Sequence, residues 1–177
     1  MPSGRESEEV IISDYDPMWP GCYAEERNCI MGILGNKIAG IEHIGSTAVP
    51  GLVAKPILDL MIGLVRLEDG PPCVDPLVAL EYESKGEFGI PGRLYFRRWK
   101  PRSHQIHMVV KGGVFWVDHL LFRDYLRSHP DRAAAYGEVK RSMAAKFSVN
   151  RQDYQEAKGP FIETLMAEAR AWWATMA

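Results

Sequence analysis

Long apolar runs, paired cysteines and a strong excess of either charge are all missing from this chain. No segment approaches the roughly 18 to 20 consecutive apolar residues of a membrane-spanning helix, so no membrane partner is expected. The formal net charge of -2 argues against a general nucleic-acid-binding surface. Three cysteines, Cys22, Cys29 and Cys73, show no C-x-x-C spacing. This pattern excludes the usual zinc and disulfide frameworks, and we expect reduced thiols.

Internal repeats and low-complexity segments are also absent. With 177 residues, 46% of them apolar and 25% charged, the composition is typical of an ordinary globular chain, and we predict a single domain over residues 1–177. Residues 1–9 are polar and charged, so we expect them to be flexible. They contain no apolar signal-peptide region, which favours a cytoplasmic location.

The pattern of apolar residues predicts strands and helices in a mixed order. Strands are predicted over residues 10–13, 37–44, 57–65, 94–99 and 105–110, and short turns rich in glycine and proline separate several of them. Helices are predicted over residues 18–34, with Asp16 as N-cap, and 74–80. Residues 114–177 are predicted to be mainly helical, with breaks at 128–130 and 148–152. This order predicts an α+β fold in which helices pack on a small mixed sheet.

A turn rich in small residues precedes the most apolar predicted strand. Gly45 permits positive φ and close approach of an anion to the backbone, while Ser46 and Thr47 supply hydroxyl donors and Lys55 a positive charge. Asp59 is the single ionisable residue in the following strand. A carboxylate there needs a cation, a metal ion or hydrogen-bond donors. The segment therefore predicts a phosphate-binding loop beside a catalytic carboxylate; the alternative is a tight loop whose hydroxyls satisfy its own backbone.

The segment EHIGSTAVPGLVAKPILDLMIGL resembles the core signature of the GrpB family, also called UPF0157, which is similar to the nucleotidyltransferase superfamily. The resemblance continues through HQIHMVV, LLFRDYLRSHPDRAAAYGEVKR and DYQEAKGPFIETL, and so extends from Tyr15 to Leu165. It implies a nucleotidyltransferase-like sheet with packed helices and a C-terminal helical segment. It also implies that Gly45 and Ser46 hold phosphate and that Asp59 is a metal ligand.

One departure from the superfamily pattern concerns the second metal ligand. That superfamily uses an Asp-x-Asp or Asp-x-Glu pair, whereas Met61 follows Asp59 at this spacing. A thioether is a poor ligand for Mg²⁺. The resemblance places His107 where a third carboxylate would lie, and His43 is a further candidate. Such a mixed N/O site would suit Mn²⁺, Fe²⁺ or Zn²⁺ better than Mg²⁺.

Charged residues outside the loop supply further candidates. Arg123 and Lys140 are predicted to contact an anionic ligand, whereas Arg127 and Lys158 are interpreted as solvated helix charges. A second carboxylate near Asp59 would have to come from elsewhere in the chain, and the candidates are Glu42, Asp118 and Asp124.

Two functions of different classes are consistent with these residues. In the first, the protein is a metal-dependent nucleotidyltransferase in which Asp59 holds a divalent ion and an acceptor attacks the nucleotide. In the second, the fold is catalytically degenerate: the same cleft binds a phosphorylated or carboxylated metabolite, and the protein senses that metabolite or acts as an accessory to another enzyme. A third hypothesis is a metal-dependent enzyme that uses Asp59 and His107 for other chemistry. The acceptor, the metal and the oligomeric state are not predicted.

Overall fold

The fold is given by a computed structural model that describes residues 10–98, 103–147 and 151–176. The described residues form a five-stranded sheet in the order β1-β2-β5-β4-β3. Its strands are β1 (Gly40–Ile44), β2 (Leu58–Leu64), β3 (Tyr82–Ser84), β4 (Leu94–Arg98) and β5 (His104–Val110). Only β2 and β5 run parallel; the other neighbours are antiparallel. The predicted α+β class with a small mixed sheet is confirmed.

Five α-helices accompany this sheet in the described ranges. They are α1 (Trp19–Leu34), α2 (Val74–Ala79), α3 (Val114–Ser128), α4 (Pro130–Lys146) and α5 (Arg151–Ala174). The helical C-terminal part is confirmed, and His129 separates α3 from α4 as expected. No described helix meets the length and apolarity that crossing a membrane requires.

Strand β2 is buried on both faces, which explains its nearly continuous apolar sequence. Its residues Leu60 and Ile62 belong to a core shared with α1 and α2. Asp59 and Met61 point to the opposite face, where Met61 packs with Trp116 of α3. The two faces of β2 therefore separate an apolar core from the side on which the C-terminal helices lie.

The segment after β1 anchors those helices. Val49 and Leu52 are almost fully buried in a cluster with Tyr125, Tyr136 and Leu165 from α3, α4 and α5. This apolar contact holds the three helices above the face of the sheet that carries Asp59.

Several predicted boundaries differ from the observed ones. The strand predicted from residue 37 begins at Gly40, because residues 35–37 form a turn of 3-10 helix. Residues 10–13 contribute only an isolated bridge between Ser13 and Ala54. Strand β3 was not predicted; it is a three-residue edge strand. Helix α1 begins after Met18, and Asp16 instead accepts the backbone N–H of Met18 in the preceding turn.

Some predictions fall outside the described residues. These are the flexibility of residues 1–9, the strand position of Trp99 and most of the break over 148–152.

An ion-pair network ties α1 to the edge of the sheet. Glu26 of α1 is 8% exposed. Its two carboxylate oxygens accept hydrogen bonds from Arg98 at 3.0 and 2.8 Å, and Tyr82 also donates to it at 3.0 Å. The Arg98 guanidinium lies 4.5 Å from the centroid of the Tyr82 ring. Since both charges are largely withdrawn from water, removal of one leaves the other unpaired.

We expect Glu26→Gln to lower the free energy of unfolding by about 2 to 4 kcal/mol, because the amide cannot match the bidentate geometry or the charge of Arg98. Denaturant unfolding monitored by circular dichroism measures this change.

Glu83→Gln is the matched control. Glu83 pairs with Lys85 and Arg97 in the same sheet, but its side chain is 49% exposed. Its loss is expected to cost less than about 1 kcal/mol. Equal costs for the two variants would contradict the assignment of Glu26 as the structural ion pair.

Candidate functional site

A cavity of about 500 Å³ lies between the Asp59 face of the sheet and the helices α3, α4 and α5. Asp59, near the start of β2, lies in its wall beside the turn after β1. Parallel pairing sets Asp59 opposite Gln105 and Met61 opposite His107 of β5. Gln105 and His107 also line the cavity, as expected for residues two apart on one strand.

Gly45 permits the close approach of this turn to Asp59. Its φ is +74°, and a Cβ built there would lie 2.7 Å from Asp59 Oδ2. Ser46 follows in a turn of 3-10 helix and also lines the cavity. The predicted loop and the predicted carboxylate thus lie together.

Thr47 and His43 contact each other and stabilise the turn. The Thr47 hydroxyl lies 2.9 Å from His43 Nε2, and both residues are buried. The His43 ring stacks on Tyr23 of α1, with centroids 4.7 Å apart. Burial lowers the pKa of His43 to about 4. His43 therefore faces α1, away from the cavity, and the structure corrects its proposed place beside Asp59 and His107.

Three lysines from three segments converge on the other side of the cavity. Lys55 follows the turn, Lys140 comes from α4 and Lys158 from α5. The ammonium groups of Lys55 and Lys158 lie 5.0 and 4.8 Å from the centroid of the Tyr154 ring. Lys140 is 2% exposed and donates to the carbonyl of Val53.

Two of these lysines have lowered pKa values. Burial, with the nearby charges of Lys158 and Lys55, lowers the pKa of Lys140 to about 7. Burial lowers the pKa of Lys158 to about 8, although Asp59 opposes the shift. The interpretation of Lys158 as a solvated helix charge was wrong, because docking of α5 turns this residue into the cavity.

Arg93 and His119 were not identified from the sequence. Arg93 is 6% exposed and lies at the end of a turn-rich segment, where its guanidinium donates to the carbonyls of Glu87 and Phe88. His119 stacks on Phe115 with ring centroids 3.9 Å apart. Burial lowers the pKa of His119. The only signal for Arg93 in the sequence is its place after Gly92.

Arg123, predicted to contact an anionic ligand, instead forms ion pairs outside the cavity. Its guanidinium donates to Glu42 at 2.8 Å, to Asp124 at 2.8 Å and to the carbonyl of His43 at 3.0 Å. It does not line the cavity. Arg127 donates to the carbonyl of Ala48 at 2.8 Å and so supports the turn instead of being simply solvated.

A two-metal centre does not fit the residues of this site. Met61 is fully buried in an apolar cluster. The three candidate second carboxylates pair with arginines instead: Glu42 and Asp124 with Arg123, and Asp118 with Arg170. Among the described residues, no group of three His, Cys, Asp or Glu side chains is placed to hold a metal ion.

The charge balance of the cavity favours anions. Its described lining contains the cations Lys55, Arg93, Lys140 and Lys158, but Asp59 as its single carboxylate. A lining with more ammonium and guanidinium groups than carboxylates is typical of sites for phosphate or carboxylate ligands.

Comparison with known proteins gives one clear assignment. A family model described as GrpB protein matches residues 9–168. The UPF0157 protein YqkA of Bacillus subtilis (strain 168) is 37% identical over 165 residues, which are 93% of this chain and 48% of that protein. The chain therefore spans about half the length of this relative.

One solved structure agrees with this assignment. The crystal structure of the conserved protein GrpB from Enterococcus faecalis is 34% identical, with a TM-score of 0.85 over 92% of this chain and 99% of that chain. A cytoplasmic RNA terminal U-transferase is a distant structural neighbour, with 14% identity and a TM-score of 0.49 over 72% of this chain and 39% of its own. No functional inference rests on the second likeness.

We expect Gly45→Ala to destabilise the protein by more than Gly51→Ala does. Both glycines have similar positive φ values, +74° and +78°, but only the added Cβ at position 45 meets another atom, Asp59 Oδ2. At Gly45, a φ of +74° with a ψ of -173° lies in a backbone region essentially confined to glycine, so strain costs about 1 to 3 kcal/mol there, and overpacking adds about 1 to 3 kcal/mol. Denaturant unfolding of both variants measures the difference.

Gly45→Ala and Gly51→Ala, each combined with Asp59→Ala, complete a double-mutant cycle. Without the carboxylate, the excess cost of Gly45→Ala should fall by the overpacking part, about 1 to 3 kcal/mol, while the backbone strain remains. An unchanged excess would show that the turn is not constrained by Asp59.

Proposed function

The chain belongs to the GrpB family, and on that premise we propose that its cavity binds a nucleotide or another small phosphorylated molecule on Lys55, Lys140 and Lys158. The observation that carries the proposal is the excess of cations over carboxylates in the lining. A phosphate group would supply the negative charge that the site lacks.

The lysine cluster is suited to several phosphate oxygens at once. Each ammonium group has three donors and acts as a compact point charge. The ring of Tyr154 lies close to both Lys55 and Lys158. An aromatic face stabilises a cation without neutralising its charge.

The opposite wall is suited to the rest of the ligand. Phe115 and His119 form a stacked aromatic pair, and Ile90 adds apolar surface. A volume of about 500 Å³ lies within the usual range of small-molecule sites. A nucleoside phosphate, with a planar base and a charged tail, matches both walls, so nucleotides are the first probes.

Nucleotidyl transfer is the second candidate. The placement of Asp59 against Gly45 and beside Ser46 favours it, because the carboxylate lies next to a turn able to hold a phosphate. The absence of a second described carboxylate in the lining disfavours it. Transfer would require a divalent ion on Asp59, and the lysines would neutralise the rest of the phosphate charge.

We expect triphosphate binding to take up protons and to weaken as the pH rises. The free protein holds Lys140 and Lys158 at pKa values of about 7 and 8, and a bound anion raises both. The contribution of these charges is fully present below the free-state pKa values and is lost as pH rises through the bound-state values. Calorimetric titration of inorganic triphosphate and ATP in a metal chelator, in buffers of different ionisation enthalpy, measures both effects.

The titratable and charged groups around the cavity all bear on this pH dependence: Lys55, Asp59, Arg93, His107, His119, Lys140, Tyr154 and Lys158. Lys158→Gln isolates one of them. It should weaken ATP binding about tenfold at pH 7 and flatten the pH profile, whereas the ionisation of ATP itself is the same for both proteins.

Lys146→Gln is the matched control, because Lys146 is an exposed lysine at the end of α4. Its loss should change the affinity by less than about twofold. Absence of binding at every pH, or binding only with a divalent ion, would overturn the proposal.

Asp59→Asn separates the two candidate functions. If the cavity binds phosphate on lysines alone, removal of this carboxylate relieves repulsion, and ATP affinity should rise about threefold to tenfold in chelator. If Asp59 holds a catalytic metal ion, the variant should instead lose Mg²⁺- or Mn²⁺-dependent binding and any release of pyrophosphate. Asp118→Asn, outside the cavity and paired with Arg170, should leave both measurements unchanged.

A further inference from the structure

Arg93 is a buried cation with no carboxylate partner among the residues that the structure describes. Its guanidinium donates to the carbonyl of Glu87 at 3.3 and 3.1 Å and to that of Phe88 at 2.9 Å. It also lies 4.8 Å from the centroid of the Tyr95 ring. The Glu87 side chain folds back to accept the N–H of Gly92. The turn is therefore built around the guanidinium and holds it at the cavity wall.

The next contact of Arg93 determines the state of His107. Nη1 of Arg93 lies 3.2 Å from Nδ1 of His107. Arginine has donors only, so Nδ1 must be the acceptor. An imidazole that accepts at Nδ1 is neutral and carries its proton on Nε2.

The nitrogen that carries this proton is the one that approaches Asp59. Nε2 of His107 lies 3.5 Å from Asp59 Oδ1, and a small side-chain rotation would shorten this separation to a hydrogen bond. In this tautomer His107 presents a donor, and not a lone pair, to the carboxylate. A metal ion shared by Asp59 and His107 needs the lone pair of Nε2, and this requires the proton to move to Nδ1, where Arg93 already donates.

We propose that Arg93 is the specificity-determining residue of this cavity: by fixing His107 as an Nε2–H donor to Asp59, it excludes divalent cations and keeps the site selective for anions. His107 is then a positioning residue for Asp59 and not a metal ligand. The positive charge of Arg93 acts in the same direction, because it repels a divalent cation at Asp59. This inference rests on the proposed anion-binding function for the nature of the ligand, but the state of His107 is measurable without any ligand.

The direct test is nitrogen-15 NMR of the histidine rings in the 177-residue chain. At pH 8 the wild-type spectrum should show His107 with its proton on Nε2 and a bare Nδ1. Arg93→Met, which keeps the apolar stem, should shift the ring nitrogens toward values averaged over both neutral tautomers, because nothing then requires a bare Nδ1. A purely structural role for Arg93 predicts no change of tautomer. Arg97→Met is the control, since Arg97 lies on β4, directly after the Arg93 segment, and pairs with Glu83.

Titration with Mn²⁺, followed by the electron paramagnetic resonance of the free ion, tests the consequence. Wild type should show no uptake that depends on Asp59. Arg93→Met should bind Mn²⁺ about tenfold or more tightly than wild type, and Asp59→Asn in that background should abolish the gain.

A proton on Nδ1 of the wild-type His107 would overturn the inference. So would Mn²⁺ uptake by wild type that Asp59→Asn abolishes, or an unchanged ring in Arg93→Met. If that variant fails to fold, the wild-type spectrum and titration still decide the question. If triphosphate does not bind but His107 shows the expected tautomer, only the proposed anion-binding function is overturned.

Discussion

The parallel ladder between β2 and β5 aligns Asp59 with Gln105 and places His107 two residues farther along the same face. Most of the site depends on this register, because a shift by one residue would turn Asp59 into the apolar core and a core leucine into the cavity. The antiparallel pairing with β1 then brings Gly45 against the same carboxylate. One sheet register thus positions the turn, the carboxylate and the histidine together.

The positive side of the cavity has a different origin. Lys140 and Lys158 come from α4 and α5, and these helices are held by an apolar cluster that includes Val49 and Leu52 after the turn. The segment that carries Gly45 therefore does two things: it approaches Asp59 and it anchors the helices that bring the lysines. Docking of α4 and α5 brings the positively charged lysines together, so it costs electrostatic free energy. The burial of the apolar cluster must offset this cost. A bound anion would relieve the repulsion and stabilise the docked helices through linkage.

The parts of the site that are local in sequence could be predicted. Asp59 was recognisable because it interrupts an apolar strand, and Gly45 because a turn of small residues precedes it. The roles of Lys158 and Arg123 could not be predicted, since each lies on a helix whose orientation is set only when it docks on the sheet. Arg93 follows an irregular segment of glycines, and its partners are backbone carbonyls that no periodic pattern indicates. Metal ligation by His107 stays a prediction that Arg93, on geometric grounds, opposes.

The position of Met61 explains why the chemistry of this site is set by the helices more than by the strand. Its neighbours on the same face of the sheet are Ile44, Val109 and Trp116, and a Cβ at Gly63 would come within 2.8 Å of the Trp116 ring. The cavity therefore closes immediately after Asp59, under α3. A carboxylate at position 61 would be fully buried against Trp116 and beside Glu42, whose like charge repels it, at a cost of several kcal/mol. The strand has room for one acidic group, so any further charge at the ligand must come from the turn, the Arg93 segment or the C-terminal helices, which supply cations.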